Sequence, residues 1–421
     1  MNKHTKHAWH KLDNAAKIFP PTSGRADTRV FRFSCEFSEA VNGVLLQAAL
    51  DRAIDDYPSF RYVLKRGLFW YYLEQSDLRP VAQPESTPPC STIYLSRKSL
   101  LFDVTWYGNR INLEAYHALT DGTGALQFLQ LLVLHYLKLA YPALESQLAG
   151  YNYAALDAGK MTDSYDKYYD QSKKYKKLRR NAAFKLKGPK EAEWRMNIIE
   201  GSMPTQALLD AARAHGTTIT VFLTALLIRA IHEEMSVDDC KKPVSISIPV
   251  NLRNFFKSSS PRNFFSMVDI SYDFSKQADN PEAIIQAAKQ CLDERLTEDY
   301  LQARLNKLLS FERNPFIRPV PLAIKNVCMN LAYYLSTLET TATISNLNAI
   351  RLPDAVRPYV KLFDVFFSTD KLHVCVCSYG GNTNISTTSP FVSKDIQGNF
   401  FRMLSQMNIP AVITANDLNR N

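Results

Sequence analysis

The chain has 421 residues, of which 46% are hydrophobic and 22% charged, and its formal net charge is +9. This length is too great for one ordinary hydrophobic core and suits two domains, and the composition is that of a globular protein. The sequence has no run of about 18 consecutive apolar residues and no signature of a nucleic-acid-binding module, so we expect neither a membrane span nor a nucleic-acid partner.

The N-terminus and the cysteines both indicate a reducing compartment. The first residues contain no hydrophobic stretch of the secretory type, so we expect a cytoplasmic protein. The seven cysteines are an odd number without metal-type spacing. Cys375 and Cys377 are two apart in a predicted strand, where they are either metal ligands or, in the simpler interpretation, buried core thiols. His4, His7 and His10 form either a metal site or a frayed tail.

The first half of the chain contains strands and helices in mixed order. Residues 42–56 have helical apolar spacing, which ends before Pro58 because proline disfavours helix in the residue before it. The predicted elements are a strand over 29–37, a helix over 42–56, a hairpin over 60–74, strands over 100–106 and 111–117, and a helix over 125–140.

Residues 151–190 are polar, rich in tyrosine and charged, which is typical of a connection between domains. We therefore predict an N-terminal domain over 1–175 and a C-terminal domain over 176–421. The segment also contains a basic cluster, which is either a ligand site or a solvated helix or loop. Its members are Lys173, Lys174, Lys176, Lys177, Arg179 and Arg180.

The second half repeats the mixture of strands and helices without a regular βαβ period. This order favours an α+β protein with two domains over a doubly wound sheet. The predicted helices cover 204–214, 218–235, 281–309 and 397–408, and the predicted strands cover 243–253, 264–274, 340–347, 359–368 and 371–379.

One strand of the first half ends in a histidine. Ile111, Leu113, Ala115 and His117 fall on alternate residues, so they share one face, which is apolar until it reaches His117. A histidine on a core face is partly desolvated, which favours its neutral form, and a neutral imidazole is what a general base requires. From the chemistry alone, a hydrogen-bonded structural histidine is the default alternative. Zinc is a further one, although no third ligand has matching spacing.

The residues after His117 carry a carboxylate and two glycines. Asp121 either caps the following helix or pairs with an arginine and holds the loop. We expect Gly122 and Gly124 to let the backbone turn sharply and to leave room for a substrate.

Four segments together resemble a known superfamily. The run over 117–122, His-Ala-Leu-Thr-Asp-Gly, resembles the His-x-x-x-Asp-Gly motif of the chloramphenicol acetyltransferase-like superfamily, which includes condensation domains and alcohol acetyltransferases. Residues 245–253 resemble its strand that ends in an arginine, here Arg253. Residues 343–347 resemble the Ser-Asn segment of its alcohol acetyltransferase-like branch, and residues 12–17 fit the same branch. The resemblance spans nearly the whole chain.

The resemblance implies a fold and a site. It implies two chloramphenicol acetyltransferase-like domains, each a mixed sheet flanked by helices, with an active-site tunnel between them where donor and acceptor meet at His117. It further implies that Asp121 pairs with Arg253, that Gly122 supports the site, and that Ser345 and Asn346 stabilise an oxyanion or bind substrate. No metal and no permanently bound cofactor are expected, and acyl-CoA is the co-substrate.

The implied reaction is transfer of an acetyl or other short acyl group from CoA to a small-molecule alcohol or amine. One alternative is a condensation-type enzyme that takes its donor from an acyl carrier protein. Tyr116 argues against it, since many condensation domains have a second histidine at that position. Another alternative is a catalytically inactive binding relative, which the retention of His117, Asp121 and Arg253 disfavours. Two further differences are Asn348, where a glycine often follows the Ser-Asn pair, and the absence of the plant-type Asp-Phe-Gly-Trp-Gly element.

Overall fold

The computed structural model describes residues 8–91, 99–149, 151, 157, 159–170, 172, 182–192 and 195–416. Within these ranges, strands and helices are interspersed without a βαβ period, which confirms the predicted α+β class. The strands are β1 (Trp9–Lys11), β2 (Val30–Phe37), β3 (Tyr62–Arg66), β4 (Tyr71–Gln75), β5 (Gln83–Pro84), β6 (Phe102–Tyr107), β7 (Arg110–Tyr116), β8 (Asn197–Pro204), β9 (Val244–Asn251), β10 (Phe265–Tyr272), β11 (Ala342–Ala349), β12 (Val360–Phe367), β13 (Leu372–Tyr379), β14 (Asn382–Ser389) and β15 (Val412–Ala415). The helices are α1 (Phe19–Thr22), α2 (Gly43–Asp56), α3 (Gly122–Ala140), α4 (Leu144–Gln147), α5 (Ser164–Lys167), α6 (Thr205–Ala214), α7 (Ile219–His232), α8 (Pro281–Arg295), α9 (Glu298–Arg313), α10 (Leu322–Thr337) and α11 (Asp395–Gln406).

The first large sheet has five strands in the order β12-β2-β7-β6-β5. Its strands are antiparallel to their neighbours except that β5 runs parallel to β6. The alternate residues Ile111, Leu113 and Ala115 of β7 are fully buried, as the sequence pattern predicts. Helix α3 packs against β2 and β7 and against α2. This helix ends at Ala140, before Tyr141-Pro142, since the residue preceding proline avoids helical geometry.

The second large sheet has seven strands in the order β10-β9-β11-β13-β14-β8-β15. Strand β11 is parallel to both β9 and β13, whereas the other pairs are antiparallel. Helices α7 and α8 pack on β9 and β10 respectively, and α11 packs on α7. Each large sheet therefore has its own hydrophobic core, and the smaller sheet β1-β4-β3 lies beside them.

Strand β12 joins the two halves of the chain. It follows β8–β11 and precedes β13–β15 of the second sheet in sequence, yet it pairs with β2 of the first sheet, with Phe363 opposite Cys35 and Val365 opposite Phe33. It also packs against β13 and β14 of the second sheet. The predicted domain boundary at residues 175 and 176 and the basic cluster over 173–180 lie outside the described residues, so both stay predictions.

Several elements differ from the sequence predictions. The single helix expected over 281–309 is two helices, α8 and α9, because the Thr297 hydroxyl accepts a hydrogen bond from the Tyr300 N–H and starts a new helix. Strands β8 and β14 and helix α10 were not predicted. Strand β14 buries hydroxyl side chains, among them Thr383 and Ser386, so it lacks the apolar alternation that identifies strands.

The two cysteines of β13 are buried core thiols, as the simpler of the two interpretations predicted. Cys375 and Cys377 are both buried in the core of the first sheet, and the Cys377 thiol donates to the Phe363 carbonyl at 3.0 Å. No single helix in the described ranges is long and apolar enough to cross a bilayer; only α6 and α7 taken together, with a bend of 79° between them, meet the length and hydropathy requirement.

Candidate active site

His117 immediately follows the last residue of β7. Its N–H donates to the carbonyl of Arg29 at 2.9 Å, which extends the pairing of β7 with β2 by one residue. Its ring stacks on Phe19, with centroids 4.5 Å apart and planes at 19°, and meets Phe31 edge-on at 5.1 Å. The imidazole is thus held between aromatic rings while it lines a cavity.

The side chain of Asn263 fixes the tautomer of His117. The Asn263 amide nitrogen donates to the His117 carbonyl at 3.0 Å and to the Asp13 carboxylate at 3.2 Å, so the amide oxygen must face the ring. That oxygen lies 3.0 Å from Nδ1 of His117 and can only accept. Nδ1 therefore carries the hydrogen, and Nε2 keeps a free lone pair.

The Asp13 carboxylate holds the side chain of Asn263 in this orientation. Its side chain is completely buried, accepts a hydrogen bond from the Ala16 N–H at 2.8 Å, and lies 3.5 Å from the guanidinium of Arg262. Burial raises the pKa of Asp13, and the charge of Arg262 opposes that shift. Asp13 belongs to the segment over 12–17 that carried part of the family resemblance, and the structure shows that it holds Asn263.

The environment of His117 favours the neutral imidazole. Burial is the main cause that lowers the pKa of His117 below 6.5, because it penalises the charged form. The negative charge of Asp121 opposes this effect, and the positive charge of Arg29 adds to it. The histidine therefore has an unprotonated Nε2 near neutral pH.

Asp121 fulfils both roles that the sequence left open. One carboxylate oxygen caps α3 by accepting hydrogen bonds from the N–H groups of Thr123 and Gly124, each at 3.1 Å. The other accepts from Arg253 at 2.7 Å and from the Phe264 N–H at 2.9 Å. The predicted ion pair is confirmed, and its carboxylate is occupied by these four donors.

The position of Arg253 differs from the predicted one. The strand expected over 243–253 ends at Asn251, and Arg253 lies in the 3-10 turn Leu252–Asn254, where the Asn251 side chain accepts a hydrogen bond from the Arg253 N–H. The phase of the strand therefore does not direct Arg253 toward Asp121. The turn does so, and the guanidinium also donates to the Ser260 carbonyl at 2.9 Å.

The two glycines of the motif do not make the expected sharp turn, whereas the expected room for a substrate stays a prediction, since Gly122 lines the cavity. Neither has a positive φ, and both lie in the first turn of α3. A Cβ on Gly124 would lie 2.2 Å from the Pro261 carbonyl oxygen, and one on Gly122 would lie 3.1 Å from the Leu347 side chain. Gly124 is therefore needed for the close approach of α3 to the Pro261 carbonyl, whereas at Gly122 a small shift of the Leu347 side chain would make room for a Cβ.

Ser345 and Asn346 reach the cavity from β11. The Ser345 hydroxyl lies 2.9 Å from Nε2 of His373, a residue of β13 whose ring stacks on Phe367 at 4.7 Å. Burial lowers the pKa of His373 to about 3, and the charge of protonated His117 adds to this shift, so His373 is neutral. Nothing in the sequence pattern had indicated His373.

Both ends of the Asn346 amide are occupied by hydrogen bonds within the protein, one of them to helix α7. Its amide nitrogen donates to the Thr220 hydroxyl at 2.9 Å, and its amide oxygen accepts from the Asn348 N–H at 2.8 Å. Asn348 has a φ of 60°, the left-handed conformation that glycine and asparagine tolerate best. This conformation explains why asparagine can stand where relatives often have glycine.

The cavity lies between the two halves and has a volume of about 280 Å³. The first half contributes Phe19 and His117 to its wall, and the second contributes Met267, Ser345 and His373. The predicted meeting of both halves at His117 is therefore present, whereas a passage open at both ends stays a prediction.

Comparison with known proteins identifies the architecture. No protein-family model and no curated protein sequence matches the chain. Solved structures do: the trichothecene 15-O-acetyltransferase TRI3 of Fusarium sporotrichioides superposes with a TM-score of 0.64 at 10% identity, over 97% of this chain and 96% of that one. The first condensation domain of the CDA synthetase gives 0.64 at 13% identity, over 97% and 100%. Polyketide synthase associated protein 5 of Mycobacterium tuberculosis gives 0.58 at 12%, over 94% and 96%.

The chain has the chloramphenicol acetyltransferase-like fold. This result confirms the predicted resemblance at the level of the fold. Sequence identities of 10% and 13% show a shared fold and nothing about activity. In this chloramphenicol acetyltransferase-like fold, the motif histidine His117 and the pair of Asp121 with Arg253 lie at the junction of the two halves.

The same junction contains charged residues that the sequence did not single out. Arg29 pairs with Asp27 at 2.7 Å, and its guanidinium lies 4.4 Å above the ring of Tyr333. Lys371 also lines the cavity, and burial lowers its pKa to about 8, with the nearby charge of Lys185 adding to the shift. These groups give the cavity of this chloramphenicol acetyltransferase-like fold a polar wall away from the aromatic rings around His117.

Proposed function

We propose that the protein is an acyltransferase that moves an acyl group from a thioester to a hydroxyl or amine, with His117 as the general base. One observation carries the proposal. Asn263 holds Nδ1 of His117 as a donor, which leaves Nε2 as the proton acceptor in a cavity lined by both halves. A structural histidine would be expected to use both nitrogens within the core.

The reaction follows from this arrangement. Nε2 of His117 accepts the proton of the acceptor O–H or N–H as the acceptor atom attacks the thioester carbonyl carbon. The π electrons of that carbonyl move to its oxygen, and the resulting oxyanion accepts a hydrogen bond from the Ser345 hydroxyl. The intermediate then collapses, the C–S bond breaks, and the leaving thiolate takes the proton from His117. No covalent acyl-enzyme forms, so the seven cysteines have no catalytic role.

Ser345 can act as a donor only if His373 does not accept its hydrogen. Because His373 is neutral, one of its nitrogens carries hydrogen, and we assign that hydrogen to Nε2, which faces the Ser345 oxygen at 2.9 Å. His373 then donates to Ser345, and the Ser345 hydroxyl hydrogen is free to point into the cavity. Two neutral histidines thus serve different purposes, His117 as base and His373 as a positioning residue.

The donor in this proposal is acyl-CoA with an acetyl or other short acyl group. The cavity of about 280 Å³ supports a short chain, because it is slightly smaller than the range of about 300–1,000 Å³ that is typical of small-molecule sites. The acceptor is a small-molecule alcohol or amine. The fold neighbour TRI3 is named for acetyl transfer to an oxygen of a trichothecene, which is the same class of reaction.

A thiol-release assay with a panel of acyl-CoA donors and alcohol and amine acceptors tests the proposal. We expect acceptor-dependent release of CoA, and a loss of turnover of about 10²–10⁴-fold in His117→Ala. His135→Ala is the matched control, because His135 is a partly buried histidine of α3 that bonds to the exposed Asp56, and it is not among the residues that line the cavity. Full activity in a folded His117→Ala variant contradicts the mechanism. Activity with an acylated carrier protein but none with acyl-CoA contradicts the proposed donor.

A further inference from the structure

Helix α10 presents an apolar surface to solvent. Five of its side chains have between 53% and 68% of their area exposed, namely Ile324, Val327, Leu331, Tyr334 and Leu335. Cys328 is exposed among them. At 3.6 residues per turn, these six positions fall within an arc of about 120°. Such an arc is the width of a face that normally packs against a core.

The opposite face of α10 is held firmly against the protein. The Lys325 ammonium is buried there, where it donates to the carbonyls of Phe69 at 3.2 Å and Arg318 at 3.0 Å and lies 3.5 Å from the Trp70 ring. Tyr333, on the same inner side, lines the cavity near His117. Specific contacts therefore set the orientation of α10, in which the charged Lys325 is inside and, apart from Leu322 at the start of the helix, the apolar residues named above are outside.

The apolar surface continues beyond the helix. The Leu322 N–H donates to the carbonyl of Leu68 at 2.9 Å, so the turn between β3 and β4 lies against the start of α10. In that turn Leu68 is 72% exposed, and in the loop before α10 Phe316 is 85% exposed. We call the outer residues of α10 together with Leu68, Phe69 and Phe316 the α10 face. Contiguous exposed apolar patches with polar rims are typical of interaction sites.

The segments that form the α10 face carry only positive charge. Residues 65–71 contain Lys65 and Arg66, residues 314–338 contain Arg318 and Lys325, and neither segment contains an aspartate or glutamate. Arg66 and Arg318 are both exposed, and each is two residues from an exposed apolar residue of the face, Leu68 and Phe316 respectively. An apolar strip bordered by exposed arginines is complementary to a bilayer surface with anionic headgroups, where apolar side chains enter the acyl boundary and cations meet phosphates and carboxylates.

We propose that the α10 face docks the protein on the interface of an anionic bilayer, with α10 lying in the plane of the membrane. A second copy of the chain fits less well, because a two-fold contact through this face brings the cationic edges of the two copies together without carboxylates to pair them. The proposal does not depend on the acyl-transfer reaction. It places the cavity wall formed by Tyr333 next to the membrane surface.

Flotation of the purified full chain with vesicles tests this docking. We expect the protein to float with vesicles of phosphatidylcholine mixed with phosphatidylserine at low salt, and less with phosphatidylcholine alone or at high salt. Among the seven cysteines only Cys328 is exposed, so it can carry a polarity-sensitive fluorophore within the face, at one edge of the apolar arc. Its emission should shift to the blue on addition of the anionic vesicles, and Cys328→Ser should remove the signal.

Two double variants separate the apolar and the charged contributions. Val327→Glu with Leu331→Glu should abolish flotation. Arg66→Gln with Arg318→Gln should weaken it about 30-fold, since each cation near an anionic surface contributes about 1 kcal/mol. The matched control is Val44→Glu with Val237→Glu, two valines of other elements that are 80% and 89% exposed, and it should bind like the unaltered protein. Circular dichroism checks that each variant is folded.

Three outcomes overturn the proposal. They are absence of flotation with every vesicle composition, a glutamate variant that floats like its control, and a fluorophore at Cys328 that does not respond to vesicles that do bind the protein. Sedimentation analysis measures whether the α10 face binds a second copy of the chain instead of a membrane. Dimers that disappear in the Val327→Glu, Leu331→Glu variant, without any binding to vesicles, would assign the α10 face to self-association.

Discussion

Replacing Asp121 by asparagine removes a single charge from the best-connected carboxylate of the site. The amide oxygen of the introduced asparagine can still cap α3, because the N–H groups of Thr123 and Gly124 need only an acceptor. The amide nitrogen then occupies the other oxygen's position, where it faces the Phe264 N–H and the guanidinium of Arg253. The N–H groups of the introduced amide would then face the N–H groups of Phe264 and Arg253, with no acceptor between them.

The structure sets the size of the effect. The side chains of Asp121 and Arg253 are only 7% and 8% exposed, so loss of the pair leaves an uncompensated charge in a buried position. Breaking a buried ion pair from one side typically costs about 3–5 kcal/mol. Arg253 keeps its hydrogen bonds to backbone carbonyls, among them that of Ser260, so we expect a loss of about 3 kcal/mol in the free energy of unfolding.

Urea unfolding followed by tryptophan fluorescence measures this loss. Asp238→Asn is the control, because Asp238 pairs with Lys241 on the surface with 90% of its side chain exposed, and we expect a change within about 0.5 kcal/mol. The decisive comparison is the double variant Asp121→Asn, Arg253→Met, which removes both charges. It should be more stable than Asp121→Asn alone. A double variant whose loss equals the sum of the two single losses would refute the reasoning.

The other predictions concern the reaction. Asn263→Ala should lower kcat and leave KM nearly unchanged, because Nδ1 of His117 loses the acceptor that fixes its tautomer; an equal kcat, measured by steady-state kinetics, would contradict this. Ser345→Ala should lower kcat about 10²–10³-fold if its hydroxyl stabilises the oxyanion, whereas an increase in KM alone would assign it to substrate binding. Burial lowers the pKa of His117 below 6.5, and the base must be neutral to accept a proton. A profile of kcat/KM against pH should therefore decline only on the acid side of pH 6.5. An inflection above pH 6.5 would exclude His117 as the group that titrates.

Much of the site was predictable because its central residues lie in local patterns. Alternation along β7 placed His117 at the end of a buried strand, and the motif placed Asp121 and, through the resemblance, Arg253. Asn263 and His373 had no such signal. Each is a single polar residue that meets its partner only after two distant segments pack together, and no periodicity in the sequence reports such a contact.

The fold was predictable where apolar residues follow a regular spacing. Helix α2 and strand β7 are examples, since buried apolar residues recur at helical spacing in α2 and apolar residues alternate at 111, 113 and 115 in β7. Strand β14 was not predicted, because the side chains that it buries in the sheet are mostly those of threonine and serine, which give no apolar pattern. The pairing of β12 with β2 was not predictable either, because a strand's own sequence does not say which sheet it joins.

The position of β12 has a consequence for synthesis on the ribosome. The first sheet needs β12 at its edge, next to β2, but β12 is translated only after β8–β11 and α6–α10 of the second half. Until then, the nascent chain exposes the unpaired backbone of β2 beside aromatic residues such as Phe31 and Phe33, and exposed edges of this kind promote aggregation. The N-terminal half is therefore expected to depend on chaperones during translation, and a fragment that ends before β12 should become soluble only when the remainder of the chain is supplied with it.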